Sequence, residues 1–164
     1  MPWSLAEENP ILTCHDELSN ALELQKHLCN MLSDLCNKYQ DLGLGSTHTK
    51  GYICIQDSHI LTQATDLDTI DTRLCQFNTC IQHLINTLRG TKLSENVSYL
   101  MLTCQIHLSS LRNTISKMKM QRTSSSTACN VTWSFNSKWS EIAKGPQLFQ
   151  ELLEYLKQLQ FPCN

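Results

Sequence analysis

DLDTIDTRLCQFNTCIQHLINTLRGTKLSENVSYLMLTCQIHLSSLRNTISKMKM (residues 66–120) holds two apolar stripes with a single glycine between them, and that arrangement decides the fold. In the first stripe Leu67, Ile70, Leu74, Phe77, Ile81, Leu84 and Leu88 step by three and four, the spacing that lines one face of a helix. Gly90 stops it. Leu93, Val97, Leu100, Cys104, Leu108, Leu111, Ile115 and Met118 then begin a second stripe. So short a connection folds two helices back on each other, predicting an antiparallel pair over 66–89 and 93–120.

Upstream, Leu18, Ala21, Leu22, Gln25, Leu28, Leu32, Leu35, Tyr39 and Leu42 keep the same period, with Cys29 and Cys36 on the flank, until Gly43 and Gly45. This predicts a helix over 16–42, about 40 Å long at 1.5 Å per residue, after an irregular lead over residues 1–13. Residues 43–65 lose the period and carry three glycines among many Ser and Thr, too long a run for neighbouring antiparallel helices. They read as a crossover, in which Tyr52-Ile-Cys-Ile55 is either a short strand or a tethered segment lying across the bundle. QRTSSSTACNVT (121–132) breaks the period again and carries the chain back.

The last stretch, WSFNSKWSEIAKGPQLFQELLEYLKQLQF (133–161), has its stripe at Leu148, Phe149, Leu152, Leu153, Leu156 and Leu159. Pro146 lacks a backbone N–H and crowds the carbonyl of Ile142, which costs a helix about 3 kcal/mol. A break at Gly145-Pro146 is therefore expected, giving a short helical piece near 134–144 and a main helix over 146–160. Long, short and long connections among four helices predict an all-α, long-chain four-helix bundle running up-up-down-down with two overhand crossovers, as one domain over 1–164.

Composition narrows the function. A formal charge of −2 with scattered Lys and Arg offers no nucleic-acid face. No apolar run approaches the ~20 residues that span a bilayer. Nine cysteines and the sequons Asn96-Val-Ser98 and Asn130-Val-Thr132 argue for secretion and for glycosylation at Asn96 and Asn130. MPWSLAEENP has no apolar signal core, so any signal peptide is expected to lie outside this sequence. An odd cysteine count leaves at least one thiol unpaired or pairing between chains.

No C-x-x-C occurs and the six histidines are dispersed, so no metal or cofactor is expected. No nucleophile motif, paired carboxylate or phosphate loop is present, so no enzyme is expected. The bundle topology places Cys14, Cys129 and Cys163 at one pole, mutually reachable, with Cys54 in the crossover as a further bridge candidate. Cys29 and Cys104 fall on core-facing stripes and read as small buried apolar residues.

The layout, together with Phe135-Asn-Ser-Lys138 near the start of the last helix, resembles the interleukin-6 family of cytokines. The likeness is to its leukaemia inhibitory factor, ciliary neurotrophic factor, oncostatin M and cardiotrophin-like branch. That branch carries an F-x-x-K motif there, so the resemblance implies that Phe135 and Lys138 contact a leukaemia inhibitory factor receptor-type chain, with Trp139 extending the patch. It also implies a gp130-type receptor on a face of the first and third helices, for which Lys26, Asn30, Arg112 and Asn113 are the candidates by location. The family's link between the N-terminus and the late chain favours a Cys14–Cys129 bridge.

The expected function is a secreted cytokine that binds and brings together two class I cytokine receptor chains. The alternatives are a cytokine nearer interleukin-6, interleukin-12 α or granulocyte colony-stimulating factor, with a different receptor set, and a helical lipid or small-ligand carrier. Trp133 and Phe135 also have a purely structural reading, folded back over the bundle end as cap and core.

Overall fold

The computed structural model describes residues 10–43, 54, 66–120 and 129–163, and among these the chain is all-helical. Four helices are described: α1 (Pro10–Asp41), α2 (Leu67–Leu88), α3 (Lys92–Met118) and α4 (Lys138–Gln158). The expected strand or tether at Tyr52–Ile55, most of both long connections and residues 1–9 lie outside the described residues, apart from Cys54.

Local chemistry sets the helix ends. Asp66 caps α2, its side chain accepting from the Thr69 amide at 2.6 Å, the bond that satisfies one orphan N–H of a first turn. Gly43, just past the end of α1, has φ +76°, and Gly90, in the short turn from α2 to α3, has φ +79°, a left-handed backbone that glycine adopts without steric cost. Three residues, Arg89 to Thr91, therefore suffice to turn α2 into α3.

α1 begins at Pro10, so Pro10–Thr13 are helical and not part of an irregular lead. Proline suits the first helical position because its missing N–H has no partner there in any case. A bridge from Cys14 to Cys163 ties this end of α1 to the chain beyond α4.

The expected break in α4 does not occur, for Lys138–Gln158 is one helix with Pro146 inside it. Packing explains this. Ile142 before the proline and Leu148, Phe149 and Leu152 after it are buried almost completely, and each such side chain contributes roughly 1.5–3 kcal/mol by leaving water. Together they outweigh the ~3 kcal/mol that proline costs. Gly145, directly before Pro146, lets α4 approach so closely that a Cβ there would lie 2.8 Å from Tyr39 Oη and 3.1 Å from Leu84 Cδ2.

α1 packs on α3 and α4, and α2 packs on the same two, while among the described residues α1 does not touch α2 nor α3 touch α4. Residue pairs give the directions. Gln25 donates to the Leu159 carbonyl at 3.1 Å and Tyr39 meets Phe149 with ring centroids 5.8 Å apart, so α1 and α4 are antiparallel. Asp68 with Lys119, Asp71 with Arg112 and Gln82 with Gln105 make α2 and α3 antiparallel. Phe77 with Tyr155, and Leu84 beside Gly145, do the same for α2 and α4.

The core takes one stripe from each helix: Leu28, Leu32 and Tyr39; Ile70, Phe77 and Leu84; Met101, Cys104 and Leu111; Phe149, Leu152 and Leu156. Leu22, expected in the α1 stripe, is 49% exposed instead.

Three disulfides join these parts: Cys14–Cys163, Cys54–Cys80 and Cys75–Cys129. The expected Cys14–Cys129 bridge is thus replaced. The chain after α4 runs antiparallel to α1 and brings Cys163 to 5.6 Å from Cys14, Cα to Cα, within the span that a bridge requires. Cys129 lies beside Cys75 on α2 instead, and Cys54 is bound to α2 through Cys80. Cys29, Cys36 and Cys104 are free; Cys104 is buried, whereas Cys29 is only partly so.

A candidate recognition site at the start of the fourth helix

α4 starts where a reciprocal serine cap fixes it. Ser137 Oγ accepts from the Ser140 amide at 3.1 Å, and Ser140 Oγ accepts from the Ser137 amide at 3.3 Å, the two-way bond of a capping box. Lys138 and Trp139 therefore occupy the first turn, where no core partner faces them. Lys138 is exposed and Trp139 is 72% exposed.

Residues 129–135 lead in without regular structure. The Cys75–Cys129 bridge anchors them to α2, and Gln76 Nε2 donates to the Asn130 carbonyl at 3.0 Å. Asn130 itself is exposed, whereas the other sequon residue, Asn96, lies in α3.

Trp133 ties this lead-in to both neighbouring helices. Its indole Nε1–H donates to Glu141 Oε1 one turn into α4. Its ring lies almost parallel to His83 of α2 (centroids 6.4 Å apart, planes at 12°) and meets Phe135 edge-on (4.8 Å, 74°). These are favourable aromatic arrangements.

Between the end of α2 and the start of α4 lies a surface cleft of ≈ 580 Å³, lined by Asn86, Thr87, Trp133, Ser134, Phe135, Ser137, Lys138 and Glu141. Its walls combine two aromatic rings, an ammonium, a carboxylate and several hydroxyl and amide groups. Such walls can offer apolar and hydrogen-bonding contacts side by side.

Of the residues proposed from the sequence, Phe135 and Lys138 line this cleft together. Trp139 stands beside them in the same first turn. Trp133 takes the capping role of the alternative reading, since it packs against the core. Phe135 is half-buried against it. The site does not sit on a separate helical piece, because α4 is continuous. Trp133's partners His83 and Glu141, and the cleft residues Asn86 and Thr87, carry no sequence signal, since helix packing brings them from another element or another turn.

On the α1 and α3 surfaces Lys26, Asn30 and Asn113 are exposed. Arg112 is engaged elsewhere: its Nε donates to Asp71 Oδ1 at 2.8 Å, across the α2–α3 seam. α3 also exposes Tyr99 (76%), Leu102 (49%) and Ile106 (64%), spaced along one outward ridge. The sequence pattern passed over these three because they fall outside the core stripe.

Among the described residues no group of three or more His, Cys, Asp or Glu is placed to hold a metal ion, and no helix is long and apolar enough to cross a membrane. In comparison with known proteins, no family model, no curated protein and no solved structure matches this chain.

Proposed function

We propose that the chain is a secreted long-chain four-helix cytokine that binds two class I cytokine receptor chains, one gp130-type and one leukaemia inhibitory factor receptor-type, and signals by bringing them together. The observation that carries the reading is Trp139, a large aromatic left in solvent in the first turn of α4, beside a cleft that holds Phe135 and Lys138. Exposed aromatics next to a pocket are the usual anchors of protein recognition, each worth about 2 kcal/mol or more at a central position. The ammonium of Lys138 adds orientation and its stem adds apolar contact.

The up-up-down-down topology is part of this proposal. Support comes from the antiparallel pairs α1–α4, α2–α4 and α2–α3, the lack of an α1–α2 contact among the described residues, and the single short connection between α2 and α3. A simple up-down-up-down bundle packs α1 on α2. Three disulfides suit an oxidising, extracellular setting. Against a carrier, the centre of the bundle is filled by Tyr39, Phe77, Phe149 and their neighbours, and the cleft beside α4 lies at the surface.

The test is surface plasmon resonance of the disulfide-intact chain against a panel of immobilised receptor ectodomains. Phe135→Ala, Lys138→Ala and Trp139→Ala each weaken one receptor by at least about tenfold, leave the second receptor unaffected and keep the helical circular dichroism spectrum. Binding confined to interleukin-6, interleukin-12 α or granulocyte colony-stimulating factor receptors selects that alternative. Binding to no receptor refutes the cytokine reading.

A further inference from the structure

A second hollow, of ≈ 290 Å³, opens beside the turn from α2 to α3. α2 lines it with Ile85, Leu88 and Arg89, three and four residues apart and so on one face, and α3 lines it with Ser94, Ser98, Met101 and Leu102, spaced along one face in the same way. The side chains explain why it stays open: Gly90, Ser94 and Ser98 are too small to fill the space between the two ridges. Packed helices leave few voids larger than a water molecule, and this one is about ten times the ~30 Å³ that a water takes. Its floor is apolar, with Met101, Leu88 and Ile85 all buried, while half-exposed Leu102 forms the rim.

Charge at the hollow has one sign. Arg89 is exposed and takes part in neither ion pair of the described residues, and no Asp or Glu is among the lining residues. Glu95, the acidic residue of α3's first turn, is not one of them. Thr91 Oγ1 donates to the Leu88 carbonyl at 2.6 Å and Ser94 Oγ to the Thr91 carbonyl at 2.7 Å, so α3 begins without a side-chain cap, which leaves the partial positive charge of its first turn uncompensated. Aliphatic walls beside an unpaired guanidinium suit an apolar body that ends in an anion, and a planar carboxylate matches the guanidinium fork. At about 30 Å³ for each water-sized atom, the space holds about ten non-hydrogen atoms. We propose that this hollow binds a medium-chain fatty carboxylate, its head on Arg89 and its alkyl chain on Leu88, Met101 and Leu102. The site lies at one end of the α2–α3 pair and needs no cavity at the bundle centre. It uses none of the residues of the receptor reading and stands apart from it.

The test is a two-dimensional amide NMR titration of the disulfide-intact chain with sodium octanoate, whose eight carbons and two oxygens match the space, at neutral pH and well below its micelle concentration. Saturating shifts gather at residues 85–90 and 94–102, with a dissociation constant below about 1 mM, an affinity that ten well-placed atoms can reach. Octanol, which has the same chain without the charge, binds at least about tenfold more weakly, and Arg89→Gln lowers octanoate to the level of octanol. Leu102→Glu sets a like charge at the rim and weakens octanoate by at least about tenfold. Both substitutions are at exposed or half-exposed positions, and both variants melt within about 2 °C of wild type, which separates lost binding from lost folding. No saturable shift up to about 5 mM octanoate, shifts centred on the cleft at Phe135 and Lys138 instead, or an affinity that Arg89→Gln leaves unchanged overturns the proposal.

Discussion

Gly145→Ala tests the closest approach in the bundle. In a solvent-exposed helix interior the change is favourable by about 0.8–1 kcal/mol. Here the new methyl carbon meets Tyr39 Oη at 2.8 Å, Leu84 Cδ2 at 3.1 Å and Tyr39 Cζ at 3.2 Å. None of these has free space, since Tyr39 and Leu84 are both fully buried. Position 145 also precedes a proline, where a Cβ disfavours helical backbone. Overpacking of this kind costs about 1–3 kcal/mol, so the net change is a destabilisation of about 1–2 kcal/mol. For a domain of this size that lowers the melting midpoint by about 2–8 °C.

Tyr39→Phe supplies the second arm. The Tyr39 hydroxyl is buried without a hydrogen-bond partner, so removing it is neutral or stabilising, and it is also the atom nearest the new methyl. The double variant therefore recovers about 1 kcal/mol of the penalty, as a coupling in a double-mutant cycle. Thermal and urea unfolding, followed by circular dichroism under non-reducing conditions, measure all four corners. A Gly145→Ala protein as stable as wild type, or a penalty that Tyr39→Phe leaves untouched, refutes the account of why glycine stands there.

Burial and charge set the remaining outcomes. In the native protein at mildly alkaline pH, Ellman's reagent titrates Cys29 and Cys36 slowly and Cys104 not at all, whereas all three react after denaturation. Burial pushes the Cys104 thiol up to about 12, and it also raises Cys29 and Cys36, with the nearby Lys157 ammonium offsetting part of the effect. Arg112→Ala costs about 2 kcal/mol in urea unfolding, between the values for exposed and buried pairs, because Asp71 keeps only 9% of its side-chain exposure. In Asp71→Asn/Arg112→Ala the two losses are less than additive. The amide and hydroxyl of Thr69 hold the Asp66 carboxyl below its ordinary 3.8. A depressed carboxylate contributes stability above its unfolded value and loses it as pH falls through the folded one. Asp66→Ala is therefore destabilising at neutral pH, and its deficit against wild type vanishes in acid below that window. An equal deficit at both pH values counts against the cap.

The sequence carried little of the site. Phe135, Lys138 and Trp139 were legible as residues outside the last stripe, but the cleft was not, because Asn86, Thr87 and His83 come from α2 and Glu141 from the next turn of α4. Arg112 looked like a surface candidate on α3 until Asp71, supplied by α2, claimed it. Tyr99, Leu102 and Ile106 were visible only as residues that the core pattern did not use. In each case the partner lies far along the chain, and periodicity reports only which way a residue points on its own helix.

The four helices and their core faces were determined by the sequence itself, because apolar spacing and glycine stops are local properties and burial then rewards them. Tertiary structure alone decided three things: that α4 runs unbroken through Pro146, that Cys14 pairs with Cys163, and that Arg112 meets Asp71. A proline's cost is local, but the burial that outweighs it is contributed by α1 and α2. Which cysteines and which charged groups come within reach depends on which helix ends and seams are neighbours, and that is settled only when the helices pack.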